Sequence, residues 1–265
     1  MIIYPLPENP TLRVLSLGAG VQSTVMALLA DEGMFGGPPD LAIFADTQWE
    51  PAGVYEHLEW LEDRLSYPVE VVTAGNLRAD TLTPAYNKMP VYRKRKSSSG
   101  MAQRQCTAAY KIRPIEHAIR RWLGLEKGQK YPASVVVEQW LGISTDEIIR
   151  AKNARHSKIT NRFPLIEIGF SRANCEGWFK SRFPDRKLVK SACIGCPFHN
   201  DALWRDMRDH DPKSWADAVD FDRQMNTRGE FLHRQRVPLD QVDLTTLEDH
   251  GQLSFLDECD GMCGV

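Results

Sequence analysis

Long apolar runs are missing from this chain of 265 residues. No stretch reaches the roughly 18 apolar residues that a membrane-spanning helix needs. The first residues also lack the basic segment, the apolar core and the cleavage site of a signal peptide. These absences predict a cytoplasmic protein with no membrane partner. Thiols stay reduced in the cytoplasm, so the six cysteines are expected to be ligands or nucleophiles rather than disulfides.

An excess of charge of one sign is also absent. The formal net charge is -2, and the hydrophobic content of 42% and charged content of 26% are those of an ordinary globular protein. Such a chain would contact nucleic acid only through a local basic patch. Internal repeats and low-complexity tracts are lacking too. The length then allows one large α/β domain, or a domain of about 200 residues with an appended subdomain.

The first 75 residues alternate between short apolar segments and amphipathic ones. "LRVLSL", "DLAIFADT" and "PVEVVTAG" are predicted strands, and the segments between them have helical spacing. This order predicts parallel βαβ units and an α/β fold with a Rossmann-like, doubly wound parallel sheet. We place a nucleotide-binding domain at residues 1–190, with a polar, basic loop at 85–105. A helical C-terminal region with cysteines and a tail follows at 191–265.

The turn after the first predicted strand is the first candidate binding site, because ligands of parallel sheets bind at the carboxyl ends of the strands. It reads "SLGAGVQST" and contains neither a Walker A loop nor a GxGxxG motif. Gly18, Ala19 and Gly20 let backbone N–H groups approach an anion, and Ser23 and Thr24 add hydroxyl groups at a helix N-terminus. A tight turn that binds nothing remains the alternative.

The second predicted strand ends in "FADTQWEP", which places Asp46 and Thr47 at the same edge of the sheet. Asp46 is a candidate acceptor for a ribose or adenine group, or a ligand for Mg²⁺. Both residues could equally cap the helix that follows.

The stretch "SACIGCPFH" holds Cys193 and Cys196 with two residues between them. A thioredoxin-type redox pair would follow the first strand of its own fold, which this pair does not. Zinc would require four ligands, with Cys106, His199 and the tail cysteines as candidates. An iron–sulfur cluster uses a CxxC pair with distant partners. Burial in a core is the remaining alternative, and it is the one favoured for Cys175 in the middle of a helix.

Three segments resemble the N-type ATP pyrophosphatases with a PP-loop, and more closely the phosphoadenosine phosphosulfate reductase family. They are "LSLGAGVQSTVMALLA", "FADTQWEPAGVYEHLEWL" and "CTAAYKIRPIEHAIRRWLG". The family loop reads Ser-Gly-Gly-x-Asp-Ser, and this chain departs from it at Gly18, Ala19 and Gln22. The resemblance implies a fold like that of the adenine nucleotide alpha hydrolases and a site for ATP or a sulfonucleotide. The implied nucleotide-binding residues are Ser16, Gly18, Ala19, Gly20, Gln22, Ser23, Thr24, Asp46 and Thr47.

The same resemblance implies a 4Fe-4S cluster. Iron–sulfur members of the family carry cluster cysteines in the segment of Cys106 and in a later CxxC, which Cys193 and Cys196 match. The family has two adjacent cysteines in the first segment, where this chain has only Cys106. The fourth iron is then either open, or it is bound by Cys259 or Cys263.

Basic residues and the tail supply candidate catalytic groups. Lys111 and Arg113 follow Cys106 and would offset the negative charge of a thiolate-bound cluster. Cys263, followed by glycine, partly matches the Glu-Cys-Gly of the reductases, which implies a nucleophile, and a frayed terminus is the alternative. The run from Arg93 to Lys96 is either a phosphate-binding loop or a solvated surface.

These features predict an iron–sulfur enzyme that uses an adenine nucleotide. In the first interpretation, ATP activates a nucleic acid, and sulfur from a donor replaces oxygen in a tRNA base or in the DNA backbone. The second is a sulfonucleotide reductase that releases sulfite at the expense of a thiol reductant. The third is a zinc-stabilised nucleotide-binding module without catalysis. The sequence leaves open whether the protein forms a homo-oligomer.

Overall fold

The computed structural model describes residues 6–83, 88–94 and 99–245. The strands are β1 (Leu12–Leu17), β2 (Leu41–Asp46), β3 (Val69–Thr73), β4 (Tyr92–Lys94), β5 (Ser99–Met101), β6 (Val137–Leu141), β7 (Ile159–Arg162) and β8 (Glu230–Phe231). The α-helices are α1 (Val21–Asp31), α2 (Ala52–Glu62), α3 (Leu77–Leu82), α4 (Arg113–Trp122), α5 (Pro164–Glu167), α6 (Arg172–Arg182), α7 (Asp201–His210) and α8 (Pro212–Asn226). A π-helix spans Thr107–Ile112, and 3₁₀ helices span Thr145–Arg150 and Leu239–Gln241. In these described ranges, no helix combines the length and the apolarity needed to cross a membrane.

The chain forms two compact units that interleave in sequence. The first unit contains Met1–Asp46, Ala52–Thr73 and Ile112–Ser191, and the second contains Thr47–Pro51, Ala74–Lys111 and Ala192–Val265. The sequence placed a single boundary at residue 190. The contacts also assign two earlier segments to the unit that holds the C-terminal part, because their apolar side chains pack with it.

The first unit is built on a five-stranded parallel sheet in the order β3-β2-β1-β6-β7. Successive side chains of β1 pack on opposite faces of this sheet. Leu15 and Leu17 of β1 pack in a cluster with α1, α2 and α6, whereas Leu12 and Val14 pack in another with α4. Because successive residues of a strand point to opposite faces, this alternation requires helices on both faces of the sheet. The predicted α/β, doubly wound fold is thereby confirmed.

The second unit packs α3, α7 and α8 around an apolar cluster that includes Trp49, Tyr110, Trp204 and Phe221. A small antiparallel sheet in the order β5-β4-β8 belongs to the same unit. The predicted helical character of the region after the CxxC pair is confirmed by α7 and α8.

Two local predictions are corrected. The loop expected at residues 85–105 includes the strands β4 and β5, and the helix α3 precedes it. Asn76 starts α3 by accepting from the N–H of Ala79 at 2.9 Å. β4 pairs with β5 on one side and with the distant β8 on the other. The segment opening with Ser144 has the sequence pattern of a capped α-helix, with Glu147 three residues on. It is the 3₁₀ helix Thr145–Arg150, and the Ser144 side chain does not cap it.

Candidate functional site

The three cysteines predicted as ligands line one cavity of the second unit. Cys106 lies directly before the π-helix, and Cys193 and Cys196 form the CxxC turn. The remaining walls come from polar and apolar residues of the same unit: Thr47, Leu77, Met89, Pro90, Arg104, Thr107, Lys111, Pro197 and Phe198. Thiols from two segments that are far apart in the chain therefore line a single cavity. Within the described ranges, no three His, Cys, Asp or Glu side chains form a group suited to hold a metal ion.

The CxxC turn is fixed by its backbone and by a tryptophan. The N–H of Cys196 donates to the carbonyl of Cys193 at 3.0 Å, and the N–H of Ile194 donates to the carbonyl of Trp49 at 2.8 Å. Gly195 lies against the indole of Trp49, where a Cβ would come within 2.1 Å of Cη2. Only glycine fits at this position, so the close approach of Trp49 sets the path of the chain between the two cysteines.

Cys106 is positioned by a different set of hydrogen bonds. The N–H groups of Gln105 and Cys106 both donate to the carbonyl of Lys88, at 3.0 and 2.9 Å. The Gln105 side chain accepts from Nζ of Lys88 at 3.2 Å, so the residue at the position of the family's second cysteine has a structural contact instead. The π-helix that follows belongs to a class of distortion that is frequent at functional sites. Its Tyr110 hydroxyl donates to Asp80 at 2.5 Å, which ties the segment to α3.

Glu50 is the residue of this site that the sequence analysis did not assign. Its Oε1 accepts from the Thr47 hydroxyl at 3.1 Å and lies 3.4 Å from Sγ of Cys193 and 3.8 Å from Nζ of Lys111. The Glu50 side chain is 1% exposed. Its Oε2 is buried and has no hydrogen-bond partner in the part of the chain that the structure describes. Glu50 ends "DTQWE", which lies within one of the three segments that resemble the family.

The loop after β1, in the first unit, is a strained turn closed by a serine. Ala19 has a φ of 52°, in the left-handed region, and its side chain is buried. The Ser23 hydroxyl accepts from the N–H groups of Gly18 and Gly20, each at 3.2 Å. A Cβ at Gly142 would lie 3.0 Å from backbone atoms of Ser23, so the turn after β6 presses against the start of α1. The two amides that would face an anion thus share a hydroxyl acceptor.

Gln22, which stands where the family pattern has an aspartate, contacts a carboxylate from another segment. Its Nε2 donates to Oε2 of Glu147 at 3.3 Å and to the Ser144 hydroxyl at 3.4 Å. Glu147 also accepts from Arg150 at 2.5 Å, as a pair three residues apart in the chain. Burial raises the pKa of Glu147, and Arg150 opposes this effect. A carboxyl group is therefore present beside the loop, although residue 22 itself is an amide.

The other residues predicted to bind a nucleotide have local partners. Asp46, at the end of β2, accepts from the Tyr55 hydroxyl at 2.9 Å. The Ser16 hydroxyl accepts from the Gln139 side chain at 2.7 Å. Thr47 belongs to the second unit, where its hydroxyl lies 3.3 Å from Sγ of Cys193. That Asp46, Ser16 and Thr47 bind a nucleotide remains a prediction.

Thr24 is fully buried and contacts a histidine of the core. Its Oγ1 lies 2.9 Å from Nε2 of His57, a residue of α2 whose ring stacks on Trp60. His57 is 1% exposed. Burial, followed by the charge of Arg186, lowers the pKa of His57 to about 4. This histidine is therefore neutral in the folded protein at neutral pH.

We expect the free energy of unfolding to fall as the pH drops from 6.5 toward 4. In that window the unfolded chain binds a proton on His57 and the folded chain does not, so acid favours unfolding. The slope contributed by His57 should approach about 1.4 kcal/mol per pH unit. Urea unfolding at pH 7, 6 and 5 measures it, with His57→Gln as the comparison. The pH dependence of stability should be shallower in the variant, and equal slopes in the two proteins would contradict the assignment.

The candidate basic residues and the remaining thiols are distributed over both units. Lys111 lines the cysteine cavity, whereas Arg113 opens α4 in the first unit. Arg93 pairs with Glu230 at 2.9 Å. Cys175 is fully buried, and burial raises the pKa of its thiol to about 12, which confirms the prediction of a buried thiol. Cys259, Cys263, Arg95 and Lys96 lie outside the described residues.

Neither a family model nor a curated protein matches this chain. Among solved structures, the chain is similar to the phosphoadenylyl-sulfate reductase from Candida auris in its phosphate complex. The two share 12% identity with a TM-score of 0.42, over 68% of this chain and 74% of that one. It is also similar to the U34-tRNA thiolase NcsA from Methanococcus maripaludis with its 4Fe-4S cluster, at 12% identity and a TM-score of 0.42, over 89% and 74% of the two chains.

Proposed function

We propose that the protein is an ATP-dependent enzyme that transfers sulfur to a nucleic acid and holds an iron–sulfur cluster on Cys106, Cys193 and Cys196. The observation that carries this proposal is the convergence of these cysteines, from two distant segments, on one cavity. In the reaction, ATP adenylates an oxygen of the acceptor and releases pyrophosphate. Sulfur from a donor then replaces that oxygen, which leaves with AMP.

The cavity residues fit such a cluster in three respects. A cluster spreads its thiolates over different irons and does not need the close grouping that a single ion requires. Lys111 supplies a positive charge next to thiolates that carry negative charge. The apolar side chains of Leu77, Met89 and Phe198 keep water away from the cavity. When bound, the cluster supplies an iron at which sulfur can be held.

The loop after β1 is the proposed nucleotide site. Gly18, Ala19 and Gly20 lead into the N-terminus of α1, where backbone N–H groups and the helix dipole favour negative charge. Asp46 ends the neighbouring strand and is proposed to contact the ribose or adenine, or to bind Mg²⁺. Glu147, in contact with Gln22, supplies a carboxylate where the loop itself has none.

A basic segment favours a nucleic acid as the acceptor. Between Ile148 and Ile166 the sequence carries no acidic residue, while it carries these basic ones: Arg150, Lys152, Arg155, Lys158 and Arg162. Lys152, Arg155 and His156 are exposed. Arg150 is paired with Glu147, and Arg162 with Glu138 and Glu167, so Lys152 and Arg155 are the candidate phosphate contacts of this segment.

Two alternatives use the same residues differently. In a sulfonucleotide reductase, Cys263 would attack adenylylsulfate or its 3′-phosphate derivative, and sulfite would leave at the expense of a thiol reductant. In a zinc-stabilised module, the cysteines would hold a structural ion without catalysis. Purification without oxygen, followed by measurement of iron, sulfide and zinc, identifies the third case by zinc content with no visible charge-transfer band.

Replacing Cys263 with serine separates the two enzymatic proposals. We expect the variant to keep its iron, and to keep the release of pyrophosphate from ATP in the presence of a sulfur donor and bulk tRNA or DNA. Sulfur transfer to an iron-bound site does not need a nucleophile in the tail, whereas loss of a nucleophile abolishes covalent turnover. Cys259→Ser is the matched control from the same tail. Release of sulfite from adenylylsulfate by the wild-type protein, lost in Cys263→Ser with iron retained, would instead establish the reductase.

A further inference from the structure

Two adjacent isoleucines of the first unit are exposed. Ile149 is the most exposed large apolar side chain in the described part of the chain, at 88%, and its neighbour Ile148 is 48% exposed. Single apolar side chains are common at protein surfaces, whereas contiguous ones more often mark a contact with a partner. Neither isoleucine belongs to an apolar cluster of the described residues. The pair therefore forms an apolar surface that these residues leave uncovered.

The 3₁₀ helix that carries the two isoleucines is fixed to the rest of the first unit. The N–H of Thr145 donates to the carbonyl of Phe170 at 2.9 Å. Glu147 accepts from the side chain of Gln22, in the loop after β1, at 3.3 Å. No residue of this helix is buried, so it contributes hydrogen bonds rather than apolar side chains to the core. The isoleucines are thus exposed on an anchored segment.

Two cations without a carboxylate partner follow the isoleucines in the chain. Lys152 and Arg155 are exposed, and neither makes an ion pair with a residue that the structure describes. Arg150 differs from them, because it pairs with Glu147. Residues 148–158 include no aspartate or glutamate. A partner suited to this segment has to offer negative charge together with an apolar face.

We infer that an unpaired stretch of nucleic acid docks on these side chains, which we call the acceptor surface: Ile148, Ile149, Lys152 and Arg155. This inference rests on the proposed function. The two cations contact phosphates, and the two isoleucines cover a base or a ribose. A duplex stacks its bases inside and presents its phosphates outside, whereas an unpaired strand exposes base faces that side chains can cover. The combination of apolar and cationic side chains therefore selects a single strand or a loop.

The acceptor surface adjoins the proposed nucleotide site. Glu147, the residue before Ile148, contacts Gln22 of the loop after β1, and a Cβ at Gly142 would lie 3.0 Å from backbone atoms at the start of α1. An acidic protein segment or an anionic membrane also offers negative charge. The position favours nucleic acid over both, because the acceptor has to meet the activated nucleotide at this loop.

The test measures binding of the full-length protein to fluorescent oligonucleotides of about 16 nucleotides by anisotropy. A uridine strand, a thymidine strand and a duplex of the same length are compared between about 50 and 200 mM salt. Ile149→Thr keeps the branch at Cβ and replaces apolar surface with a hydroxyl. We expect it to weaken binding of single strands about tenfold, with the salt dependence and the binding of duplex unchanged.

Lys152→Gln and Arg155→Gln test the charged component. Each removes one phosphate contact, so the slope of log affinity against log salt should become shallower by about 0.7 for a single strand. Met34→Thr is the apolar control, because Met34 is 56% exposed and follows the end of α1, at the opposite edge of the sheet. Lys180→Gln, at an exposed cation of α6, is the charge control. Both controls should match the wild type.

Unchanged binding of single strands in Ile149→Thr, or an equal loss for single strands and duplex, would overturn the inference and leave the proposed function intact. Binding to phosphatidylserine vesicles that Ile149→Thr abolishes, in a protein that binds no oligonucleotide, would assign the surface to a membrane and overturn the inference. A wild-type protein that binds neither single strands nor duplex would overturn the nucleic-acid acceptor of the proposed function as well. The inference holds for either strand, and the tighter one identifies the acceptor as RNA or DNA.

Discussion

Iron content is expected to fall at least about tenfold when Cys193 is replaced by serine, because loss of an outer partner alone costs metal sites 10–100-fold in affinity. Cys193 is a buried thiol of the cavity and contacts both Thr47 and Glu50. A hydroxyl group is a poor substitute for a thiolate on iron. The measurement is iron and sulfide per chain after anaerobic purification, together with the visible charge-transfer absorption.

Cys175→Ser is the matched control for this experiment. Cys175 is also a fully buried thiol, but it belongs to α6 of the first unit. Its replacement should affect stability while leaving the ratio of iron to folded protein unchanged. Equal iron content in Cys193→Ser and the wild type would remove Cys193 from the ligand set, and with it the basis of the proposed cluster.

Gly195→Ala is expected to be the most destabilising single-methyl change in the second unit. The added Cβ would lie 2.1 Å from Cη2 of Trp49 and 2.8 Å from two further ring atoms. Trp49 has little freedom to move, because its Nε1 donates to Asp217 at 2.5 Å and its ring packs on Phe221 with centroids 4.6 Å apart. Overpacking of this kind costs about 1–3 kcal/mol, occasionally more.

Urea unfolding of Gly195→Ala against Gly177→Ala measures this effect. Gly177 lies within α6, and a Cβ there would meet nothing within 4 Å. Alanine is favoured over glycine in a helix by up to about 1 kcal/mol, so Gly177→Ala should be neutral or stabilising. Gly195→Ala should also lose iron, because the turn that carries Cys193 and Cys196 must shift. A Gly195→Ala protein as stable as the wild type would show that Trp49 does not constrain the turn.

The sequence was sufficient for β1 and β2 because each of these strands carries the pattern of its own burial. Residues of β1 and β2 alternate between two helical layers, and apolar side chains occupy both faces. Such a pattern is local, so it needs no knowledge of distant contacts. The same reasoning failed for β4 and β5. β5 pairs with β4, and β4 in turn pairs with β8, which lies more than a hundred residues away in the chain.

The cysteine site was predicted from the family resemblance rather than from physics. No rule of spacing requires Cys106 to share a cavity with Cys193 and Cys196, and the resemblance to iron–sulfur enzymes supplied that expectation. The sequence did not point to Glu50, because a glutamate just before a helix is commonly explained by its favourable interaction with the helix N-terminus. Its burial beside Cys193 is a tertiary property and has no sequence signature of its own.

The serine in the loop after β1 has a consequence for ligand selection. The two amides of Gly18 and Gly20 are already satisfied by the Ser23 hydroxyl, so an arriving molecule competes with an internal acceptor. A neutral oxygen would exchange one hydroxyl-type bond for another and gain almost nothing. A charged oxygen forms bonds roughly twice as strong, and rotation of a single side chain admits it. If the proposed nucleotide site is correct, the loop would therefore favour a charged phosphate oxygen over a neutral oxygen, whatever the shape of the molecule that carries it.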